Sequence, residues 1–229
     1  MIEKNIDKFQ YRHWSDEEMN TFVKEHEPDF YSKIYITYPD NIQRVDAFRY
    51  VLMFYLGGIY IDMDNGCNHP FYDLVTTLES IEPDAIHLAA FPRQQSFGIE
   101  TDFMLSSVGH PFYRQLISHL HYFNHNYLFH FWTIVLSTGP IYASIQERFF
   151  RSTQESVVRL LDFSIVRPMF IRKENGFTWL HKEDAIVFHL NERIKTFLWY
   201  CKLILITIIV ILLIKWLKRK QKWLWFIDK

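Results

Sequence analysis

Residues 49–67 read RYVLMFYLGGIYIDMDNGC. A helical-looking apolar run meets Gly57-Gly58, a short strand IYID follows, and the strand ends in two carboxylates one residue apart, Asp62 and Asp64. Two carboxylates so close repel each other and resist desolvation unless something positive lies between them. In a regular strand, residues 62 and 64 point to the same side. A same-facing acid pair suits Mg²⁺ or Mn²⁺, which takes one or two protein carboxylates and completes its shell with water and substrate phosphates. The C-terminal end of a strand is also where open α/β sheets bind ligands. The plainer reading is a pair of solvated turn acids, with Asn65-Gly66 as the turn.

Working outward, the residues before the glycines predict a helix from about Ile42 to Leu56. Its apolar stripe is Val45, Phe48, Leu52 and Tyr55, and Gly57 and Gly58 stop it. Asp46 and Arg49 are three residues apart and share one face of that helix, an arrangement that by itself reads as a surface salt bridge. HWSDEEMNTFVKEHEP (13–28) predicts an earlier helix, with Ser15 as N-cap and Pro28 beyond its end. Strands are expected at AIHLAAF (85–91) and DFMLSS (102–107), and late strands at IVRPMFI (165–171) and DAIVFHL (184–190). HPFYRQLISHLHYF and IYASIQERFF read as helices, with STGP (137–140) as a loop. Strands alternating with helices predict an α/β fold with a largely parallel sheet.

The 229 residues carry a net charge of −1, which gives no electrostatic footprint for nucleic acid. Aromatic residues make up 18 % of the chain, which suits work on sugars or near a membrane and equally a large core. The two cysteines, Cys67 and Cys201, lie in dissimilar surroundings and predict no disulfide. MIEKNIDKFQYRHW has no apolar core of signal-peptide length, so no cleavable signal is expected. The C-terminal part differs. An unbroken apolar run from Leu203 to Ile214, extended by Phe197 to Cys201, predicts a transmembrane helix over 196–217, with Trp199, Tyr200 and Trp216 at its ends. A buried core helix is the alternative. Lys215, Lys218, Arg219, Lys220 and Lys222 then place a tail of residues 218–229 in the cytosol, and the domain formed by residues 1–195 in the lumen.

IQRVDAFRYVLMFYLGGIYIDMDNGC (42–67) resembles the sugar-binding region of Asp-x-Asp glycosyltransferases (glycosyltransferase family 32), nearest to mannosyl-inositol phosphorylceramide synthase catalytic subunits. The pattern is an Asp-x-x-Arg helix at a set distance before a Gly-Gly-x-Tyr-x-Asp-x-Asp strand. HWSDEEMNTFVKEHEPDF, TDFMLSSVGHPFYRQLI and STGP resemble further segments of that family, so the likeness runs from about residue 11 to 190. It implies a GT-A-like, Rossmann-type nucleotide-sugar fold and a retaining, metal-dependent hexose transfer. The donor would be GDP-mannose, and the acceptor a membrane-associated lipid such as inositol phosphorylceramide, or a glycan. In that frame Asp64 binds Mn²⁺ (or Mg²⁺), Asp62 reaches the ribose or a metal-bound water, and Asp46 and Arg49 hold hydroxyls of the donor sugar. A further metal ligand is expected at His181, with His189 as the rival. Asp102 and Gly139 fall in segments that border substrate, and no catalytic nucleophile is assigned.

The resemblance also implies an endomembrane setting such as the Golgi, and a regulatory subunit as partner. The chain departs from the family in two places. Thr101 stands where the family has Asn, and the chain starts near a second strand around FQYRHW (9–14), without the Ile-Pro-Lys-Ile-Ile-His-Gln type of first strand. That departure motivates a second reading, a non-catalytic, transferase-like membrane subunit. A third is a haloacid-dehalogenase-type phosphatase with Asp62 as nucleophile, although Asn65-Gly66-Cys67 does not continue that pattern.

Overall fold

The computed structural model describes residue 5, residues 7–94 and 98–173, and the single positions 193, 199 and 202. The chain divides into two compact units, Met1–Trp179 and Leu180–Lys229. In the second, the described residues Arg193, Trp199 and Lys202 are helical. The expected strand at 184–190, His181 and His189 lie outside the described residues, as does nearly all of the expected membrane span 196–217. Among the described residues no helix is long and apolar enough to cross a membrane.

The first unit opens with α1 (Asp16–His26), α2 (Pro28–Lys33), a 3-10 turn (Tyr35–Thr37) and α3 (Asn41–Tyr55). β1 (Gly58–Ile61), β2 (Asn65–Cys67), α4 (Tyr72–Ile81), β3 (His87–Gln94), β4 (Gly98–Ile99) and β5 (Phe103–Ser106) follow. The unit continues through α5 (Pro111–Phe123), α6 (His130–Ser137), α7 (Pro140–Phe149), β6 (Ser156–Asp162), α8 (Phe163–Phe170) and β7 (Ile171–Lys173). Ser15 caps α1 as expected: its Oγ accepts from the Glu18 N–H at 3.3 Å, and Glu18 Oε2 accepts from the Ser15 N–H at 2.8 Å.

The main sheet is mixed, not largely parallel. β1 pairs antiparallel with β5, β5 antiparallel with β3, and β3 antiparallel with β4, while β6 lies parallel to β3. The reason is connection length. The chain passes from β3 to β5 with no room for a crossover helix and must reverse, whereas α5, α6 and α7 bridge to β6 and allow the parallel pairing.

Alternate residues of the central strands enter two separate cores. Ala89, Phe91 and Met104 pack with α1, α3 and α5, whereas Leu88, Ala90, Phe103 and Leu105 pack with α4 and α8. The sheet is therefore the middle of three layers.

Three local expectations are corrected. Asn65-Gly66 is not the turn; it begins β2, which pairs antiparallel with β7. The turn comes earlier, closed by the Asn65 N–H donating to the Asp62 carbonyl at 3.0 Å. IVRPMF forms most of α8 rather than a strand. Asp162 Oδ1 caps it by accepting from the Ser164 N–H at 2.8 Å, and Val166 and Phe170, four apart, turn inward together while Ile165 and Met169 face out. Residues 9–14, FQYRHW, are irregular and pair with no strand among the described residues.

Candidate functional site

α3 delivers the first groups. The reading of Asp46 and Arg49 as a surface pair fails, because both are buried, 4 % and 3 % exposed. Tertiary packing encloses this helix on its polar face as well as its apolar one. Arg49 Nη2 lies 2.9 Å from Asp46 Oδ1 and 3.5 Å from Asp62 Oδ1. Its Nη1 donates to the Thr101 carbonyl at 2.8 Å and to Thr101 Oγ1 at 3.3 Å. The guanidinium also stands 5.0 Å from the Tyr60 ring centroid, and the Tyr60 hydroxyl donates to Asp62 Oδ1 at 2.8 Å. One buried cation thus binds together α3, the end of β1 and the start of β5.

A polar stripe on α3 fastens the STGP segment. Gln43 Nε2 donates to Ser137 Oγ at 2.7 Å, Thr138 Oγ1 donates to Asp46 Oδ2 at 2.9 Å, and the Tyr50 hydroxyl donates to the Thr138 carbonyl at 2.6 Å. Residues 43, 46 and 50 lie on one helical face by spacing. Gly139 closes the contact: a Cβ there would stand 2.9 Å from Val135 Cα and 3.5 Å from Asp46 Oδ2. Gly139 is therefore a close-approach position behind Asp46.

Burial pushes the Asp46 carboxyl up to about 6, against the pull of Arg49 and the Thr138 hydroxyl; Asp62 adds a small upward push. The Asp62 carboxyl is also raised. Burial is the main cause, Arg49 and Tyr60 oppose it, and the neighbouring Asp102 and Asp64 carboxylates reinforce it.

Asp62 and Asp64 are not on one strand face. Asp62 follows the last residue of β1, and Asp64 stands half-buried in the turn beyond it, with Met63 exposed between them. Asp102 joins them through its backbone: its carbonyl accepts from the Asp62 N–H at 2.9 Å and from Asn65 Nδ2 at 3.1 Å. Its carboxylate lies 3.9 Å from Arg167 Nη2.

No group of three or more His, Cys, Asp or Glu side chains able to hold a metal ion occurs among the described residues. The donor set still fits a hard cation of the Mg²⁺ or Mn²⁺ kind, which needs only one or two protein carboxylates when phosphates and water complete its shell. Arg49 is committed to Asp46 and Asp62, and the charges of Asp102 and Asp64 both push the Asp62 carboxyl up, a push that a cation between them would relieve. Asp64, with Asp62, would hold such an ion.

The structure thus gathers Asp46, Arg49, Asp62, Asp64, Asp102 and Gly139 around the C-terminal end of β1, while His181 and His189 lie outside the described residues. Sequence reasoning missed Tyr60, Thr101, Thr138 and Arg167. Tyr60 was findable, since period two puts it on the Asp62 side of β1. Thr101 and Thr138 fall in segments that carry the resemblance, which gives neither residue a role, and Arg167 comes from a distant segment with no local signal.

Residues 1–91 match the family model described as glycosyltransferase sugar-binding region containing DXD motif. Over those residues the chain is similar to this family's sugar-binding region. It is 30 % identical over 218 residues to inositol phosphoceramide mannosyltransferase 1 of Schizosaccharomyces pombe, covering 93 % of this chain and 65 % of that protein. It is 31 % identical over 185 residues to mannosyl phosphorylinositol ceramide synthase CSH1 of Saccharomyces cerevisiae, covering 77 % of this chain and 46 % of that protein. Inositol phosphoceramide mannosyltransferase 3 of Schizosaccharomyces pombe is 30 % identical over 190 residues, covering 80 % of this chain and 50 % of that protein. The chain thus spans about half to two thirds of the length of the relatives it matches. No solved structure matches it.

Proposed function

We propose that the protein is a metal-dependent, retaining glycosyltransferase of GT-A type that moves mannose from GDP-mannose to inositol phosphoceramide or a related membrane-associated acceptor. The observation that carries this reading is the buried Asp46–Arg49–Asp62 set at the C-terminal end of β1, inside the family's sugar-binding region. The mannosyltransferase names of the relatives supply the sugar and the lipid.

In this reading Asp46 and Arg49 fix hydroxyls of the donor sugar. Two groups already locked by packing and hydrogen bonds lose little freedom when they take hold of a ligand. Asp62 faces the ribose or a metal-bound water, and Asp64 is the carboxylate ligand in the turn. When bound, Mn²⁺ or Mg²⁺ supplies positive charge for the departing nucleoside diphosphate. Arg49 holds Asp62 in place while keeping Asp46 charged beside the sugar. His181, with His189 as rival, is the further ligand that the family resemblance implies. Residues 196–217 form the membrane helix in this reading, the tail faces the cytosol of an endomembrane compartment such as the Golgi, and a regulatory subunit is a further partner.

The test is transfer from GDP-mannose to inositol phosphoceramide in detergent micelles, with and without Mn²⁺, against a panel of other nucleotide sugars. Mannosyl transfer that Asp64→Ala abolishes is expected. No binding of any nucleotide sugar would leave the non-catalytic reading, and a phosphoryl group trapped on Asp62 would favour a phosphatase.

A further inference from the structure

Arg167 is a cation that neither the family pattern nor the local sequence assigns. It sits on α8, and its Nη2 is 3.9 Å from Asp102 Oδ2, at the outer limit of an ion pair. The guanidinium stands 4.8 Å from the Phe163 ring centroid and keeps 24 % of its side chain exposed.

Its placement is fixed from the acid-pair side. Asn68, just past β2, donates its N–H to the Phe170 carbonyl at 3.0 Å and its Nδ2 to the Pro168 carbonyl at 3.0 Å. β7, which continues α8, then pairs with β2 through Asn65 to Cys67. The strand leaving the Asp62–Asn65 turn therefore clamps α8 and brings Arg167 to the carboxylates.

The charges explain what such a cation is for. Arg49 pairs with Asp46 and Asp62, and Arg167 lies beside Asp102, whose charge in turn acts on Asp62. Arg49 is buried and already engaged with Asp46, Asp62 and Thr101. Arg167 is partly open and meets Asp102 only at 3.9 Å, so its remaining N–H donors can reach an anion while Asp102, itself mostly buried, keeps its partner. A guanidinium is suited to phosphate because its fork matches two oxygens at once.

We infer that Arg167 is a phosphate-binding residue of this site, contacting the diphosphate of the nucleotide donor with the N–H groups that Asp102 leaves unused. This rests on the nucleotide-sugar reading above.

The experiment measures binding of GDP, GMP and guanosine to the full chain by calorimetry in the presence of Mn²⁺, for the wild type, Arg167→Gln and Arg167→Lys. The wild type should prefer GDP over guanosine. Arg167→Gln should lose about 10- to 100-fold in GDP affinity, the worth of a charge-assisted hydrogen bond, with guanosine affinity unchanged. Arg167→Lys should recover part of the loss. If Arg167 only fastens α8, Arg167→Gln lowers the melting temperature but keeps the GDP-to-guanosine ratio, and the inference is overturned. If the wild type binds no GDP, the nucleotide reading falls and takes this inference with it.

Discussion

Thr138 donates its hydroxyl proton to Asp46 at 2.9 Å, joining two residues 92 positions apart in the chain. The Thr138 hydroxyl and the Arg49 guanidinium hold the buried Asp46 carboxylate from different sides, so the STGP segment is part of the site's support. Thr138→Val keeps the shape and deletes the donor. It should cost about 1–3 kcal/mol, the usual penalty for an unsatisfied buried acceptor. It should also lift the Asp46 carboxyl above its present value of about 6. Protonating Asp46 takes away the charge beside the sugar, so the acidic limb of donor binding should move to higher pH. Urea unfolding and a pH titration of donor affinity measure the two effects separately.

Arg49→Met removes the cation shared by Asp46 and Asp62 and leaves two raised carboxylates without it. Loss of one partner from a buried ion pair costs about 3–5 kcal/mol. Arg49→Lys should recover only part of this, because an ammonium cannot reach Thr101, Asp46 and Asp62 in the guanidinium's fixed geometry. Denaturation midpoints of the two variants should rank Met below Lys below wild type.

Asp64→Asn should behave in the opposite way. Asp64 is half-buried in a turn outside the cores, so stability should stay within about 0.5 kcal/mol of wild type. Mn²⁺-dependent nucleotide binding should be lost. Calorimetry beside thermal melting checks this, and retained Mn²⁺ dependence would remove Asp64 from the metal site.

Gly57 joins α3 to β1 at φ +62, and a Cβ there would meet the Ser106 carbonyl oxygen and the Val108 nitrogen at 2.8 Å each. Gly57→Ala should therefore destabilise by more than about 1 kcal/mol, since both the backbone conformation and the space oppose it. Gly58→Ala meets nothing within 4 Å and suffers only from its φ of +87. The midpoint should fall further for Gly57→Ala than for Gly58→Ala.

His110 gives a pH signature of its own. It is fully buried at the start of α5, its Nδ1 accepting from the Phe112 N–H at 3.0 Å and its Nε2 3.0 Å from the Val157 carbonyl. Nδ1 as acceptor makes Nε2 the protonated donor. Burial pushes the imidazole down from 6.5 to about 4; the Val157 carbonyl opposes this, and His87 adds to it. The unfolded chain takes up this proton near pH 6.5 and the native chain only near pH 4, so the stability tied to neutral His110 is present above 6.5 and is lost as pH falls towards 4. The loss is about 3 kcal/mol. His110→Asn should be most inferior to wild type at pH 7, and the gap should narrow by that amount by pH 4. A gap independent of pH would show that His110 does not titrate in this way.

The sequence by itself determined the elements whose signals are local. Ser15 and Glu18 set the start of α1, the Gly57-Gly58 pair ends α3, and the set distance from Asp46 and Arg49 to Asp62 and Asp64 carried the resemblance to the sugar-binding region. Caps, glycine turns and short motifs act over a few residues, so they can be read from order alone. The tertiary structure decided three things that order does not carry. It buried the polar face of α3, because the STGP segment and Thr101 close over it and turn an apparent surface pair into a locked one. It made the sheet mixed, because the β3–β5 connection is too short for a helix. It turned a β-branched segment into α8 and brought Arg167 beside Asp102, because the Asp162 cap and the inward pair Val166 and Phe170 outweigh local strand propensity.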